Sequence, residues 1–142
     1  MRTIEYTLRL SGISPTDMQD GGVQGDHNKT AVVFKPDDAL WGDLTTGIPA
    51  NHSPRCRVDV TDGCGGFHAS ELLTPDKTSH TVSYAVPRDI TQAGGVANLF
   101  LVLSEVDENN REVRTLYTYP ARLRFAASSA GSTSEEAYKT QI

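Results

Sequence analysis

The chain has 142 residues, 13 lysines and arginines against 18 aspartates and glutamates, a net charge of −5 and a pI near 5.2. That length fits one domain able to bury roughly two-thirds of its unfolded surface, and the acidic balance argues against a nucleic-acid partner, which needs a basic footprint. No run approaches the ~18 apolar residues of a membrane-spanning helix, and Glu5 and Arg9 interrupt any secretory leader in "MRTIEYTLRL".

Twelve glycines and seven prolines, spread in clusters, punctuate the chain as turns punctuate an all-β protein. The first segment alternates, with Ile4, Tyr6, Leu8 and Leu10 opposite Glu5, Thr7 and Arg9, the period of a half-buried strand. The polar, turn-rich stretch from Ser11 to Lys29 is expected to be a long loop, and long loops tend to be functional or mobile. "TAVVFKP" is a second strand closed by Pro36. "DDALWGDL", which holds the only tryptophan, fits a helical turn or a short strand equally well.

Cys56, Val58 and Val60 alternate with Arg55, Arg57 and Asp59, and "TDGCGG" supplies the glycines of a tight hairpin before "FHASELL" returns. In "HTVSYAV", Val82, Tyr84 and Val86 share a face, and Pro87, lacking an N–H, ends the ladder. A strand from Val96 to Val106 meets "DENN", whose asparagines tolerate positive φ. On the return, Val113, Thr115, Tyr117, Tyr119, Ala121, Leu123 and Phe125 share one parity and Arg114, Thr118, Arg122 and Arg124 the other.

These elements predict an all-β fold, an antiparallel immunoglobulin-like sandwich of about seven or eight strands over residues 1–126. Residues 127–142 begin as a small-residue linker. Ser132 with Glu135, and Thr133 with Glu136, then match the capping box that opens a helix, which predicts the start of a helical stalk.

Catalytic and metal-binding sets are weak. Asp37, Asp38 and Asp43 lie near Trp41, yet the chain has little spare length for the cleft that a glycosidase carboxylate pair needs. No Walker loop, Rossmann fingerprint or G-x-S-x-G is present. Cys56, Cys64 and His68 could meet across one hairpin, but the C-x₂-C spacing of zinc sites is missing. Both cysteines are expected to be free thiols, and no enzyme activity, metal or cofactor is expected.

Two surfaces remain as candidates. In "LFLVL", Leu99, Leu101 and Leu103 face one way and Phe100 and Val102 the other. Such two-sided burial calls for a cover, either the 11–29 segment or a second subunit. Leu99, Phe100, Leu101, Val102 and Leu103 are therefore a candidate assembly interface. Trp41, Tyr117 and Tyr119 are a candidate platform for sugar rings, although the parity shared with Leu123 and Phe125 points both tyrosines into the core.

Together, "VSYAVPRDITQAGGVANLFLVLSEVDENNREVRTLYTYPARLRF", the small-residue joint and the capped helix start resemble the N-terminal domain of phage tail and baseplate proteins from Gram-positive hosts, the baseplate upper protein type. The resemblance runs through the chain in order of elements and is specific over about residues 79–136. It implies a non-enzymatic adaptor, assembled in a bacterial cytoplasm and carried in the virion of a phage or prophage. The domain would anchor a receptor-binding fibre to other tail proteins and form a homo-oligomer, with a trimer favoured, through the C-terminal stalk. The alternative is a carbohydrate-binding module for host cell-wall glycan.

Overall fold

Alternation in β1 (Arg2–Arg9) is borne out: Tyr6 and Leu8 are buried while their neighbours face outward. Leu10 lies past the strand end and is exposed. The computed structural model describes residues 1–45 and 47–128. The helix start at Ser132 and Thr133 lies outside the described residues.

Ten strands and two short helices follow in order: β1, β2 (Gly12–Ser14), β3 (Gln19–Val23), β4 (Thr30–Pro36), α1 (Asp38–Thr45), β5 (Ser53–Thr61), β6 (Phe67–Ala69), β7 (Val82–Ala85), α2 (Arg88–Thr91), β8 (Gly95–Val106), β9 (Glu112–Tyr117) and β10 (Ala121–Ala126). They form two sheets. One runs β2-β1-β4-β7; the other runs β3-β10-β8-β5-β6, with β9 also pairing with β8. Between them lies one core that includes Tyr6, Leu8, Phe34, Val58, Leu99, Leu101 and Leu123.

The sandwich is as expected, but its pairing is not antiparallel throughout. β1 pairs with β4, and β10 with β3, in parallel. A parallel pair needs a crossover between its strands, and the 11–29 segment provides it. This segment is no plain loop. It turns back on β1 as β2, crosses to the other sheet as β3, and returns as β4.

Gly21 lets β3 approach β10, since a Cβ there would stand 2.6 Å from Cε1 of Phe125. At the same end, "AGG" places Gly94 and Gly95 at φ of 65° and 63°. There a Cβ on Gly63 would stand 1.9 Å from the Gly94 carbonyl oxygen, so the β5–β6 turn rests directly on this corner.

The return after β8 is two strands rather than one. Val102 and Leu99 are three residues apart on β8, but their partners Tyr117 and Ala121 are four apart. This extra residue is a bulge, and it inverts the facing of residues 114–117 before it, while a second register shift between Glu105 and Val106 leaves Val113 as a further extra residue. At the bulge the Thr118 N–H donates to the Leu101 carbonyl (3.1 Å) and the Thr118 hydroxyl accepts the Leu101 N–H (3.2 Å). Pro120, which has no N–H, follows. Ala121, Leu123 and Phe125 are buried as the parity predicts. Val113 and Tyr117 are exposed instead, and Leu116 packs on the core.

The turn between β8 and β9 is as expected. Asp107 accepts the N–H groups of Asn109 (2.9 Å) and Arg111 (3.0 Å), and Asn110 takes φ of 60°.

Candidate functional site

Trp41 sits on α1, whose start is fixed by Asp37: its carboxylate accepts the Leu40 N–H at 2.8 Å, as a helix-capping side chain does. The cap turns Leu40 into the core and leaves Trp41 half-buried at its edge. Asp37 is thus a structural carboxylate, and Asp38 is exposed.

Across from α1, the segment after β6 runs beside β5. The Leu73 N–H donates to the Cys56 carbonyl (2.9 Å), and the Cys56 thiol donates to the Leu73 carbonyl (3.0 Å). A turn follows, in which Asp76 accepts the N–H groups of Ser79 (3.0 Å) and Thr78 (2.8 Å). These bonds, first that from Ser79, hold its carboxyl below the usual range. His80 adopts φ of 57° and lays its ring on Trp41, with centroids 4.7 Å apart and planes within 9°.

The result is a cleft of about 690 Å³ between α1, β5, β8 and this segment. Leu40, Cys56 and Leu103 form its buried floor, with Trp41, Leu72 and Leu73 around them. Burial pushes the Cys56 thiol up to about 11, so it stays protonated at neutral pH and is no nucleophile. The charged residues of the lining are Arg55 and Lys77. Sequence reasoning singled out Trp41 here as a ligand contact, and Cys56 and Leu103 for other roles. The segment from Leu72 to Lys77 carries no periodic signal and joins the site only through its pairing with β5.

The opposite face of the larger sheet answers how "LFLVL" is covered. Leu99 and Leu101 are fully buried in the sandwich's own core, and Leu103 nearly so, which removes them from any assembly interface. Val102 is also fully buried, between Arg57 on β5 and Tyr117 on β9 in register. Arg57 donates to the Tyr117 hydroxyl at 3.4 Å, so these two side chains close over it. The 11–29 segment lies at the sheet edges and plays no part. Of the five residues, Phe100 alone keeps partial exposure.

A polar net surrounds this row. Arg57 donates to Asp59 (3.0 Å) and Glu112 (3.1 Å), and Glu112 also accepts from Thr115 and Ser104, each at 3.1 Å. The bonds to Glu112, that from Thr115 foremost, hold its carboxyl below the usual range.

Tyr117 and Tyr119 are 56% and 52% exposed, not in the core, because the bulge inverts their facing. Phe67, paired opposite Thr61, is exposed as well. Trp41 does not join them, since its cleft opens onto inner-face residues such as Leu103 while Tyr117 stands beside Val102 on the outer face.

The remaining polar groups are held singly or in pairs. Glu105 is buried, touching His52 and pairing with Arg114 at 3.3 Å. His68 pairs with Asp62 (2.7 Å), which also accepts the N–H groups of Gly66 (2.8 Å) and Cys64 (2.9 Å). Although burial opposes it, these bonds together hold the Asp62 carboxyl low. Both cysteines are free thiols, Cys56 buried and Cys64 exposed. Cys56, Cys64 and His68 therefore have separate partners. Among the described residues no group of three His, Cys, Asp or Glu side chains is placed to hold a metal.

Fold and surfaces together define an all-β, two-sheet sandwich with an apolar cleft at one end and an aromatic, arginine-bearing outer face. Among solved structures, it is similar to the N-terminal domain of phage TP901-1 ORF48, with a TM-score of 0.51 and 12% identity over 91% of this chain and 100% of that one. No family model matches the chain, and no curated protein matches its sequence. The likeness is one of fold, and at that level alone it agrees with the resemblance carried by residues 82–125.

Proposed function

We propose that this chain is a non-enzymatic structural component of a phage tail or baseplate, whose sandwich attaches to other tail proteins and anchors a receptor-binding fibre. The observation that carries this reading is the end-to-end fold likeness to a whole phage domain. On this reading residues 127–142 are a small-residue linker and the start of a stalk through which copies assemble, with a trimer the favoured state, and the assembled protein resides in the virion.

The test is the solution mass of the 142-residue chain by light scattering over a concentration series, beside a copy ending at Ser128, and its co-purification with phage tail proteins. Tail-dependent oligomers and a stable complex are expected. A chain that never joins a tail protein sinks the reading.

A second reading, a module for cell-wall glycan, is favoured by the exposure of Tyr117, Tyr119 and Phe67. Exposed aromatic rings offer apolar area with a polar handle to a sugar. Purified cell-wall polysaccharide that binds the chain, and loses binding on Tyr117→Ala, would select it over the first.

A further inference from the structure

The apolar cleft beside Trp41 is a hole in the side of the core. Its floor is fully or nearly fully buried apolar side chain, while Leu72 at its rim is 58% exposed. A volume near 690 Å³ is of the size that takes one or two bulky side chains or a small ligand. Open apolar area of this kind favours an occupant that removes it from water.

The lining selects the occupant's chemistry. Sugar hydroxyls would need polar partners, and burying them without partners is unfavourable. Yet the floor's own polar groups are already paired, the Cys56 thiol and carbonyl with Leu73. Charge narrows it further. In a chain with 18 acidic and 13 basic residues, the lining among the described residues contains Arg55 and Lys77 and no carboxylate. Arg55 donates to the neutral side-chain oxygen of Asn110, and Lys77 is exposed. Asp76, next in sequence, is turned into its own loop.

Position adds a third point. The cleft opens at the Leu103–Ser104 end of β8. The last described residues lie near the other end, where Phe125 pairs with Gly95 and the Ser128 hydroxyl donates to the Gln24 carbonyl at 2.7 Å. An occupant of the cleft therefore stands away from the pairing of Phe125 with Gly95.

We propose that this cleft receives a short peptide segment of another protein, a bulky apolar side chain flanked by carboxylates. The apolar group enters beside Trp41 and Leu72, and the carboxylates meet Lys77 and Arg55. The proposal rests on the tail-assembly reading only for the source of that peptide, another tail protein.

Trp41 is the sole tryptophan, so its emission reports the cleft directly. The full chain is titrated with a blocked peptide bearing a leucine–phenylalanine pair between glutamates, with its lysine-flanked counterpart, with dodecanoate and with a cell-wall glycan fragment. The expected result is a saturable shift of Trp41 emission with the glutamate peptide alone. Lys77→Glu should weaken it about tenfold, most strongly at low salt, and Leu72→Asp should abolish it. Both positions are exposed, and unchanged circular dichroism and melting check that each variant folds. No shift with the glutamate peptide, an equal shift with the lysine peptide, or a response to dodecanoate or glycan alone overturns the proposal. So does a Leu72→Asp chain that still co-purifies with its tail partner, which leaves the assembly reading standing. Peptide binding by a chain that joins no tail protein supports the cleft and sinks that reading instead.

Discussion

The hydroxyl of Tyr6, on β1 of one sheet, donates to the carbonyl oxygen of Arg122, on β10 of the other, at 3.1 Å. The ring is otherwise enclosed, 1% exposed, and stacks on Phe34 at 6.3 Å between centroids. This is a polar tie between two layers joined mainly by apolar contact. Tyr6→Phe keeps the packing, removes the donor, and leaves the Arg122 carbonyl to find another. A loss of about 1 kcal/mol in urea unfolding is expected, against about 3–5 kcal/mol for Tyr6→Ala. Equal losses for the two would mean that the hydroxyl, rather than the ring, holds the layers.

The same burial predicts how stability responds to alkali. Burial pushes Tyr6 and Tyr84 up to about 12 from 10.0, and Cys56 to about 11 from 9.0. Each folded value is raised, so the folded state binds more protons than the unfolded state once the unfolded groups ionise. Their contribution is complete below pH 9 and is lost as pH rises through 11 and 12. Melting temperature should fall steeply across that range. A Tyr6→Phe, Cys56→Ala chain should show a shallower fall; an unchanged slope would exclude these groups as the cause.

Arg57 bonds Asp59, whose side chain is 5% exposed. Arg57→Met keeps an apolar stem over Val102 but strands a buried carboxylate. Removing one partner of such a pair is expected to destabilise by about 3–5 kcal/mol. Arg57→Met with Asp59→Asn should recover much of that loss. Guanidinium unfolding of the two single variants and the double variant gives the coupling directly, and additive losses would contradict it.

Gly21 has no room for a methyl group, given Phe125 at 2.6 Å and the Leu123 Cβ at 3.0 Å. Gly21→Ala should destabilise by about 1–3 kcal/mol through overpacking. Phe125→Leu in the same chain should lessen the penalty, because the atom in the way is then gone. If the two changes simply add, the strain lies in the β3 backbone and not in this contact.

That glycine also explains what was legible in the sequence. β1, β4, β5, β7 and β8 declared themselves because alternation or an unbroken apolar run reports a strand facing a core. β3, "QDGGV", has no such pattern. Its strand geometry comes from pairing with β10, and two of its five residues are glycines. Context of this kind overrides intrinsic preference.

The tyrosines failed for a different reason. Parity counting assumes an unbroken ladder, and one extra residue between Tyr117 and Ala121 reverses it. Pro120 was the available signal. The two-sided burial of "LFLVL" was correctly seen, but its cover, an arginine and a tyrosine from neighbouring strands, is written in residues far apart in sequence. Trp41 was legible as unusual; the cleft around it depends on Leu72 and Lys77, which only the fold brings near.

The place of β10 in its sheet has a mechanical consequence. β10 is bonded along one edge to β8 and along the other to β3. A pull on the C-terminal end of β10, directed along the strand, loads both rows of hydrogen bonds sideways and all at once, instead of opening them one by one from an end. The strand that carries the load is thus braced on both flanks, and a force applied there must slide a whole register before the sandwich gives way.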